Sequence, residues 1–176
     1  MPRVFVGVGA NLNPADNVRR ALALLGRKVR VLAVSTFYRT EAEGRPDDPP
    51  FYNGVVEIDT DLPPAAVKHS LLRPIEAQLG RQRTEDRYAA RPIDLDLLLY
   101  DDLVVSSDDL AVPDPQIVSR AFLAIPLHEI APDLVLPDSG RPISEVAQAL
   151  QKHTMEPLVE YTQLLRREVQ HGPQEG

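Results

Sequence analysis

The stretch that decides the fold is Ile93-Asp94-Leu95-Asp96-Leu97-Leu98-Leu99. Because a β-strand alternates its faces, this pattern predicts a strand over 93–100 whose odd-numbered residues, through Leu99, enter a core. Asp94 and Asp96 then lie side by side on the opposite face. Two carboxylates roughly 6–7 Å apart along a strand repel each other unless positive charge lies between them, and hard oxygen ligands suit Mg²⁺. The alternative is a pair of solvated aspartates on an exposed sheet face.

Hydrophobic periodicity predicts the other elements on both sides of this strand. We expect strands at 4–9, 29–38 and 51–58, a helix from Pro14 to Gly26 with Asn13 as its N-cap, and a helix at 61–79 that Pro74 should kink. After the 93–100 strand, Leu103-Val104-Val105 is expected to be its hairpin partner. Short helices are expected near 115–120, 121–128 and 143–150.

The order β-α-β-β-α-β-β, with short helices after it, predicts an α+β protein. We expect a ferredoxin-like sandwich, in which a mostly antiparallel sheet carries the two main helices on one face. Residues 1–151 would form this domain. Residues 152–176 would form a C-terminal extension, with one helix through Leu158, Tyr161, Leu164 and Leu165 and a frayed end.

Composition narrows the classes of function. The 176 residues carry a net charge of −7, which excludes a global basic surface for nucleic acid. The absence of cysteine excludes disulfide scaffolds, zinc–thiolate sites and cysteine nucleophiles. The first apolar run, at 4–10, is too short for a membrane span and lacks the features of a signal peptide. We therefore expect a cytoplasmic protein with no membrane partner.

A locally basic segment directly precedes the carboxylate pair. It contains Arg73, Arg81, Arg83, Arg87 and Arg91. Arginines beside a Mg²⁺ site are typical of phosphoryl transfer, in which the metal bridges phosphates and guanidinium groups neutralise developing charge. For any single arginine, the alternative is an ordinary surface ion pair. No P-loop and no complete dinucleotide-binding fingerprint accompanies the segment.

The strand at 51–58 offers a different kind of pocket. Phe51 and Asn53 are two residues apart, so they share one face of the strand. An aromatic ring beside an amide suits a flat heterocycle, because the ring stacks on it and the amide pairs with its edge. The alternative is a core phenylalanine next to a turn asparagine.

The segment before and within the carboxylate strand has the sequence Arg87-Tyr88-Ala89-Ala90-Arg91-Pro92-Ile93-Asp94-Leu95-Asp96-Leu97-Leu98. It resembles the signature of the 6-hydroxymethyl-7,8-dihydropterin pyrophosphokinase family. The resemblance covers most of residues 3–150, including Gly9-Ala10-Asn11-Leu12, Phe37-Tyr38-Arg39-Thr40, Phe51-Tyr52-Asn53 and Val112-Pro113. This family transfers pyrophosphate from ATP to the pterin hydroxymethyl group in folate biosynthesis and releases AMP. The resemblance therefore implies a pyrophosphokinase domain at 1–151.

The resemblance also implies roles for individual residues. Asp94 and Asp96 would hold two Mg²⁺ ions, and Arg81 and Arg91 would be catalytic. The implied ATP-binding residues are Glu76, Arg81, Arg83, Tyr88, Arg91, Asp114 and Arg120. The implied pterin-binding residues are Thr40, Glu43, Phe51, Asn53 and Phe122, with the two phenylalanines enclosing the ring. Asp114 is a departure, because the family usually has histidine there.

ATP and the hydroxymethyl-dihydropterin would be the small-molecule substrates of a monomer. Two other interpretations remain open. A Mg²⁺-dependent phosphohydrolase would use the same carboxylates and arginines and release phosphate without an acceptor. A non-enzymatic binding module would keep its ligand after loss of both aspartates. The aromatic–amide pocket argues against the first interpretation, and the full signature argues against the second.

Overall fold

The computed structural model describes residues 2–41, 47–81, 91–151 and 155–171. These residues contain the strands β1 Val4–Ala10, β2 Arg30–Val34, β3 Tyr38–Thr40, β4 Phe51–Asp59, β5 Asp94–Tyr100, β6 Val105–Ser106, β7 Ala111–Val112 and β8 Glu156–Pro157. The main sheet has the order β5-β1-β4-β3-β8, and β2 also pairs with β4. All of these pairings are antiparallel.

Helices cover both faces of the sheet. They are α1 Pro14–Lys28, α2 Pro64–Ala66, a π-helical segment Val67–Leu72 that continues as α3 Arg73–Gln78, a 3₁₀ helix Pro115–Val118, α4 Ala121–Ile130, α5 Ile143–Ala149 and α6 Val159–His171. One core lies between one face of the sheet and three helical units: α1, the continuous segment from α2 to α3, and α6. A second core lies on the opposite face, under α4 and α5. The antiparallel sheet with its two main helices on one face is as predicted, and the short helices close the other face.

A β-bulge changes the expected alternation in β5. Phe5 of β1 pairs with Leu99, whereas the next residue, Val6, pairs with Leu97, so Leu98 has no partner in the ladder. The extra residue reverses the faces of the strand residues beyond the bulge. Leu99 therefore packs in the core under α4, together with Phe5 and Leu98. The expectation that Leu99 shares a face with Leu97 is wrong.

Both ends of α1 differ from the prediction. Asn13 has a left-handed backbone, with φ of 41°, and its side chain makes no capping hydrogen bond. Asn17 Nδ2 instead donates to the Leu12 carbonyl, at 2.7 Å. Gly26 does not end the helix, which continues to Lys28. A glycine inside a helix costs only about 1 kcal/mol relative to alanine, so continued hydrogen bonding outweighs it.

The predicted helix at 61–79 forms, and Pro74 is accommodated by a widened turn. The Arg73 N–H donates to the Lys68 carbonyl, five residues back, instead of to the usual carbonyl four residues back. Because proline lacks an N–H and its ring crowds the preceding turn, a π-helical segment before it relieves both problems.

Two predicted strands are wrong in their extent or pairing. The strand expected at 29–38 is broken into β2 and β3, because Thr36 and Phe37 bond outside the sheet: the Thr36 N–H donates to Glu129 of α4, at 2.6 Å, and the Phe37 N–H donates to Thr162 of α6, at 2.8 Å. The segment 103–105 is not the hairpin partner of β5. The chain turns at Asp101, whose φ is 51°, and β6 pairs with β7.

The C-terminal segment joins the main body. β8 extends the sheet beside β3, and α6 packs on α1 and β2. The predicted helix is therefore present and begins just after Leu158. Residues 172–176, predicted to fray, lie outside the described residues. In the described ranges, no helix combines the length and apolar character needed to cross a membrane.

Candidate active site

Three neighbouring strands place Asn53, Gly9 and Asp94 in one row across the sheet. Gly9 of β1 pairs with Asn53 of β4 on one side and with Asp94 of β5 on the other. Side chains of paired residues share a face, so the amide and the carboxylate face the same space. They are separated by two strand spacings, about 10 Å. Because Gly9 has no side chain, the Asn53 amide can lie over it, and no side chain of β1 stands between the amide and the carboxylate.

A chain of alternating charges runs beside β5. Arg73 Nη1 lies 2.6 Å from Glu76 Oε1, and Glu76 Oε2 lies 3.0 Å from Arg81 Nη1. The same Arg81 nitrogen lies 2.5 Å from Asp94 Oδ1, and Asp94 Oδ2 lies 3.0 Å from Arg91 Nη1. Each of the two carboxylates thus lies between two of the three guanidinium groups.

This charged chain also completes the edge of the sheet. β5 is an edge strand, and its backbone groups need partners. The Leu95 N–H donates to Glu76 Oε2 at 3.0 Å, and Arg81 Nη1 donates to the Ile93 carbonyl at 3.1 Å. The Glu76 side chain is only 3% exposed and that of Arg81 9%. Glu76 is therefore held inside the fold by contacts with Arg73, Arg81 and the β5 backbone.

Arg81 stays charged in this environment. Burial lowers the pKa of Arg81, but the carboxylates of Asp94 and Glu76 outweigh burial, and the net shift of the pKa is upward. The Arg81 guanidinium is therefore a buried positive charge in contact with Asp94. Its Nε is buried with no hydrogen-bond partner within the described ranges.

Arg91 is fixed through its backbone. Its N–H donates to Asn11 Oδ1 at 2.6 Å, and its carbonyl accepts from the N–H groups of Asn11 and Leu12. Asn11 also donates to the Pro49 carbonyl at 3.4 Å, so one buried amide links the end of β1 to two loops. The Arg91 side chain is 25% exposed, which leaves it accessible beside Asp94.

Asp96 is the group whose ionisation this site disfavours most. Burial, then repulsion from Asp94, Asp114 and Glu76, raises the pKa of Asp96 well above its usual range. Burial and the Asp94 charge also raise the pKa of Asp114, although its Oδ1 accepts a hydrogen bond from the Gln116 N–H at 2.9 Å. Asp114 thus caps the 3₁₀ helix while adding a third carboxylate near Asp94 and Asp96.

The donor set fits a cation that takes oxygen ligands. Asp94 and Asp96 supply carboxylates from one face of β5, and burial together with repulsion from Asp94, Asp114 and Glu76 raises the pKa of Asp96, so a bound cation would favour its ionised form. Within the described ranges, no group of three or more His, Cys, Asp or Glu residues is arranged to hold a metal. Mg²⁺ needs no such cage, since it is commonly bound by one or two carboxylates together with water and substrate phosphates.

The other end of the row holds the predicted pterin residues. Asn53 is buried, and its Nδ2 donates to Thr40 Oγ1 at 2.8 Å. Thr40 pairs with Phe51 across β3 and β4, so Thr40, Phe51 and Asn53 face the same side. Phe122, in the first turn of α4, packs at the margin of the core on that face, and Arg120 is the residue directly before α4.

Three of the predicted site residues, Glu43, Arg83 and Tyr88, lie outside the described residues. Conversely, the sequence patterns assigned no site role to Asn11, whereas Gly9 was expected to allow close backbone packing or ligand approach at the end of its strand. Asn11 belongs to the segment Gly9-Ala10-Asn11-Leu12, so an unexplained polar residue after a buried strand was the available signal.

The family described as 7,8-dihydro-6-hydroxymethylpterin-pyrophosphokinase (HPPK) matches residues 5–132 of the chain. The 2-amino-4-hydroxy-6-hydroxymethyldihydropteridine pyrophosphokinase of Haemophilus influenzae is 34% identical over 88% of this chain and 97% of that protein. The protein of the same name from Pseudomonas aeruginosa is 39% identical over 84% of this chain and 91% of its own length.

Solved structures give the same fold at low sequence identity. The Plasmodium falciparum HPPK-DHPS wild type with pteroate superimposes with a TM-score of 0.67 at 12% identity. The match covers 84% of this chain and 42% of that longer chain. At this identity, the likeness bears on the fold alone.

Proposed function

Because this chain belongs to the 7,8-dihydro-6-hydroxymethylpterin-pyrophosphokinase family and transfers pyrophosphate from ATP to hydroxymethyldihydropterin in folate biosynthesis, we propose how its residues divide that reaction. Asn53 and its neighbours bind the pterin, and Asp94, Asp96 and Arg91 act on the phosphates. The observation that carries the proposal is the row Asn53–Gly9–Asp94, in which no β1 side chain separates the amide from the carboxylate.

On the pterin side, Asn53 presents its amide to the edge of the heterocycle. Its hydrogen bond to Thr40 holds the amide in one orientation, which reduces the entropy lost on binding. Phe51 and Phe122 would contact the two faces of the ring, and Glu43 would border it. A planar ligand fixed in this way extends its hydroxymethyl group across Gly9, toward the carboxylates.

On the phosphate side, Asp94 and Asp96 would hold two Mg²⁺ ions. When bound there, Mg²⁺ would supply positive charge against the phosphates and against the negative charge that develops on the transferred group. The hydroxymethyl oxygen forms a bond to the β-phosphorus and releases its proton to solvent, while the bond from that phosphorus to the α-phosphate oxygen breaks, so that AMP leaves. Arg91, accessible beside Asp94, would stabilise the developing negative charge.

The remaining assignments keep the same division. Arg81 and Glu76 would act mainly by orienting Asp94, and Arg83, Tyr88, Asp114 and Arg120 would border ATP.

We also infer three features of the whole protein: its fold type, its monomeric state in the cytoplasm, and its domain boundaries. The βαββαβ core is ferredoxin-like, which its strand order β5-β1-β4-β2/β3 supports. The enzyme acts as a monomer in the cytoplasm. Residues 1–151 form the pyrophosphokinase domain, and residues 152–176 extend it.

Calorimetric titration tests this division of labour. The nucleotide probe is α,β-methylene-ATP with Mg²⁺, because the bond that would break is replaced by carbon. Asn53→Ala should weaken pterin binding by about 1–3 kcal/mol and leave nucleotide binding unchanged. Asp96→Asn should remove the Mg²⁺-dependent part of nucleotide binding and spare pterin binding measured alone. Equal weakening of both ligands by either variant would contradict the proposal.

A further inference from the structure

The C-terminal segment, β8 and α6, lies beyond residue 132, where the family match ends. Its contacts converge on the segment from Phe37 to Thr40, which consists of the residue before β3 and β3 itself. Thr162 of α6 is 125 residues from Phe37 in sequence, yet its Oγ1 accepts a hydrogen bond from the Phe37 N–H at 2.8 Å. The Phe37 carbonyl accepts from the Leu158 N–H, also at 2.8 Å. Both backbone groups of Phe37 are therefore held by this segment.

Phe37 in turn packs directly behind Asn53. Its fully buried ring lies against Gly54, where an added Cβ would come within 2.5 Å of the ring atoms. Because successive residues of β4 point to opposite faces, Tyr52 and Gly54 lie on the reverse side of the sheet from Asn53. The Phe37 ring thus packs against the reverse side of β4 at Gly54, the residue directly after Asn53.

Tyr161 of α6 completes this packing from the same side. Its ring meets the Tyr52 ring edge-on, with centroids 5.3 Å apart, and the Phe37 ring at 6.4 Å. Its hydroxyl donates to the Ala15 carbonyl in α1, at 2.7 Å. An aromatic group anchored to a second helix therefore supports both β4 residues that flank Asn53.

Strand pairing within the sheet also connects the C-terminal segment to Asn53. Tyr38 of β3 pairs with Asn53 on one side and with Pro157 of β8 on the other. Two residues further along β3, Thr40 accepts the hydrogen bond that orients the Asn53 amide. β8 therefore braces the strand that supplies this acceptor.

We propose that β8 and α6 form a brace that sets the position of Asn53 and Thr40 for the pterin, with Thr162 and Tyr161 as positioning residues. The brace touches neither substrate and acts through Phe37 and β3. This inference rests on the proposed role of Asn53 in pterin binding. It predicts a selective effect on pterin, because β8 lies at the β3 edge of the sheet and α6 packs on β2 and α1, whereas Asp94 belongs to β5 at the opposite edge.

Steady-state kinetics of the full-length enzyme tests the brace. Thr162→Val keeps a similar shape but leaves the buried Phe37 N–H without its acceptor. It should raise the KM for the pterin about tenfold and leave the KM for ATP unchanged. Thr162→Ser keeps the acceptor and should restore the wild-type value. Gln163→Ala, an exposed change on the same helix, is the matched control and should alter neither constant.

A second pair of variants covers the case in which Thr162→Val does not fold. Tyr161→Leu removes the ring behind Tyr52 and should also raise the pterin KM, whereas Tyr161→Phe keeps the ring and should not. A merely structural role for α6 predicts lower stability with unchanged KM values in the folded enzyme. That result, or an equal rise in the KM for both substrates, would overturn the brace.

Asn53→Ala in the same assay separates the two proposals. If it raises the pterin KM while the Thr162 and Tyr161 variants do not, the brace is wrong and the assignment of Asn53 stands. If Asn53→Ala leaves the pterin KM unchanged, the assignment of Asn53 fails and the brace fails with it.

Discussion

Nη1 of Arg81 lies 2.5 Å from Oδ1 of Asp94, and the same nitrogen lies 3.0 Å from Oε2 of Glu76. One guanidinium nitrogen therefore joins a predicted metal ligand to a buried carboxylate on another element. The pair shows how the site is built: the carboxylate that would hold metal is oriented by an arginine that is itself fixed inside the fold.

Loss of this arginine should destabilise the protein. Arg81→Ala leaves Glu76 and Asp94 without their shared partner, and removal of one member of a buried ion pair costs about 3–5 kcal/mol. Urea denaturation measures this loss. Arg20→Ala, at an exposed position on α1, is the control and should change the unfolding free energy by less than about 0.5 kcal/mol. A stable Arg81→Ala variant with low activity would instead make Arg81 a purely catalytic group.

Asp96 should oppose folding in the absence of metal. Its pKa is raised in the folded protein, so the unfolded chain ionises this carboxyl at lower pH. Stability of the metal-free protein should therefore fall as the pH rises from about 4, the unfolded value, through the folded pKa. Asp96→Asn should reduce this fall, leaving the part due to Asp114, whose pKa is also raised, and should lower turnover on the order of 10²-fold or more.

Thermal unfolding at several pH values, with and without Mg²⁺, measures this effect of Asp96. Mg²⁺ should stabilise the wild type and not the Asp96→Asn variant. Asp102→Asn, an exposed change just after β5, should leave both the pH profile and the metal response as in the wild type. A parallel pH profile for Asp96→Asn and wild type would show that the Asp96 carboxyl does not oppose folding.

Arg91 should act in the transition state. Its backbone is fixed by Asn11 and Leu12, and its accessible side chain lies 3.0 Å from Asp94. Arg91→Ala should lower kcat on the order of 10²-fold, as expected for loss of one donor to developing charge, with a smaller effect on ATP affinity. A normal kcat with only a raised KM for ATP would reduce its role to ground-state binding.

We expect pterin binding to require glycine at position 9, because the Asn53 amide occupies the space that a side chain would need. A Cβ at this position would come within 2.5 Å of Asn53 Oδ1. Gly9→Ala should therefore turn the amide away from Thr40 and weaken pterin binding by about 1–3 kcal/mol. Gly26→Ala is the matched control, because a Cβ there meets nothing within 4 Å. It should stabilise α1 by up to about 1 kcal/mol and leave pterin binding unchanged.

Local patterns were enough to predict most elements and the faces on which the polar residues of the site lie. Alternation in 93–99 indicated the strand and the shared face of Asp94 and Asp96, and the i, i+2 spacing of Phe51 and Asn53 indicated the other side of the row. The bulge at Leu98 could not be foreseen, because it depends on the register with β1 and not on the residues of β5 alone.

Long-range contacts account for the rest. Glu76 points inward because it accepts a hydrogen bond from the backbone of β5. This backbone group is available because β5 is an edge strand, which is decided by the strand order of the whole sheet. The role of α6 depends on Thr162 meeting Phe37 across 125 residues of sequence. No periodicity within either segment indicates that partner, so the sequence predicted the helix without its function.

Product analysis tests the central claim most directly. ³¹P NMR of the wild-type enzyme with ATP, Mg²⁺ and 6-hydroxymethyl-7,8-dihydropterin should show AMP and the pterin diphosphate appearing in equal amounts, with no turnover when the pterin is omitted. Formation of ADP, or release of inorganic phosphate without the pterin, would contradict pyrophosphate transfer at this site.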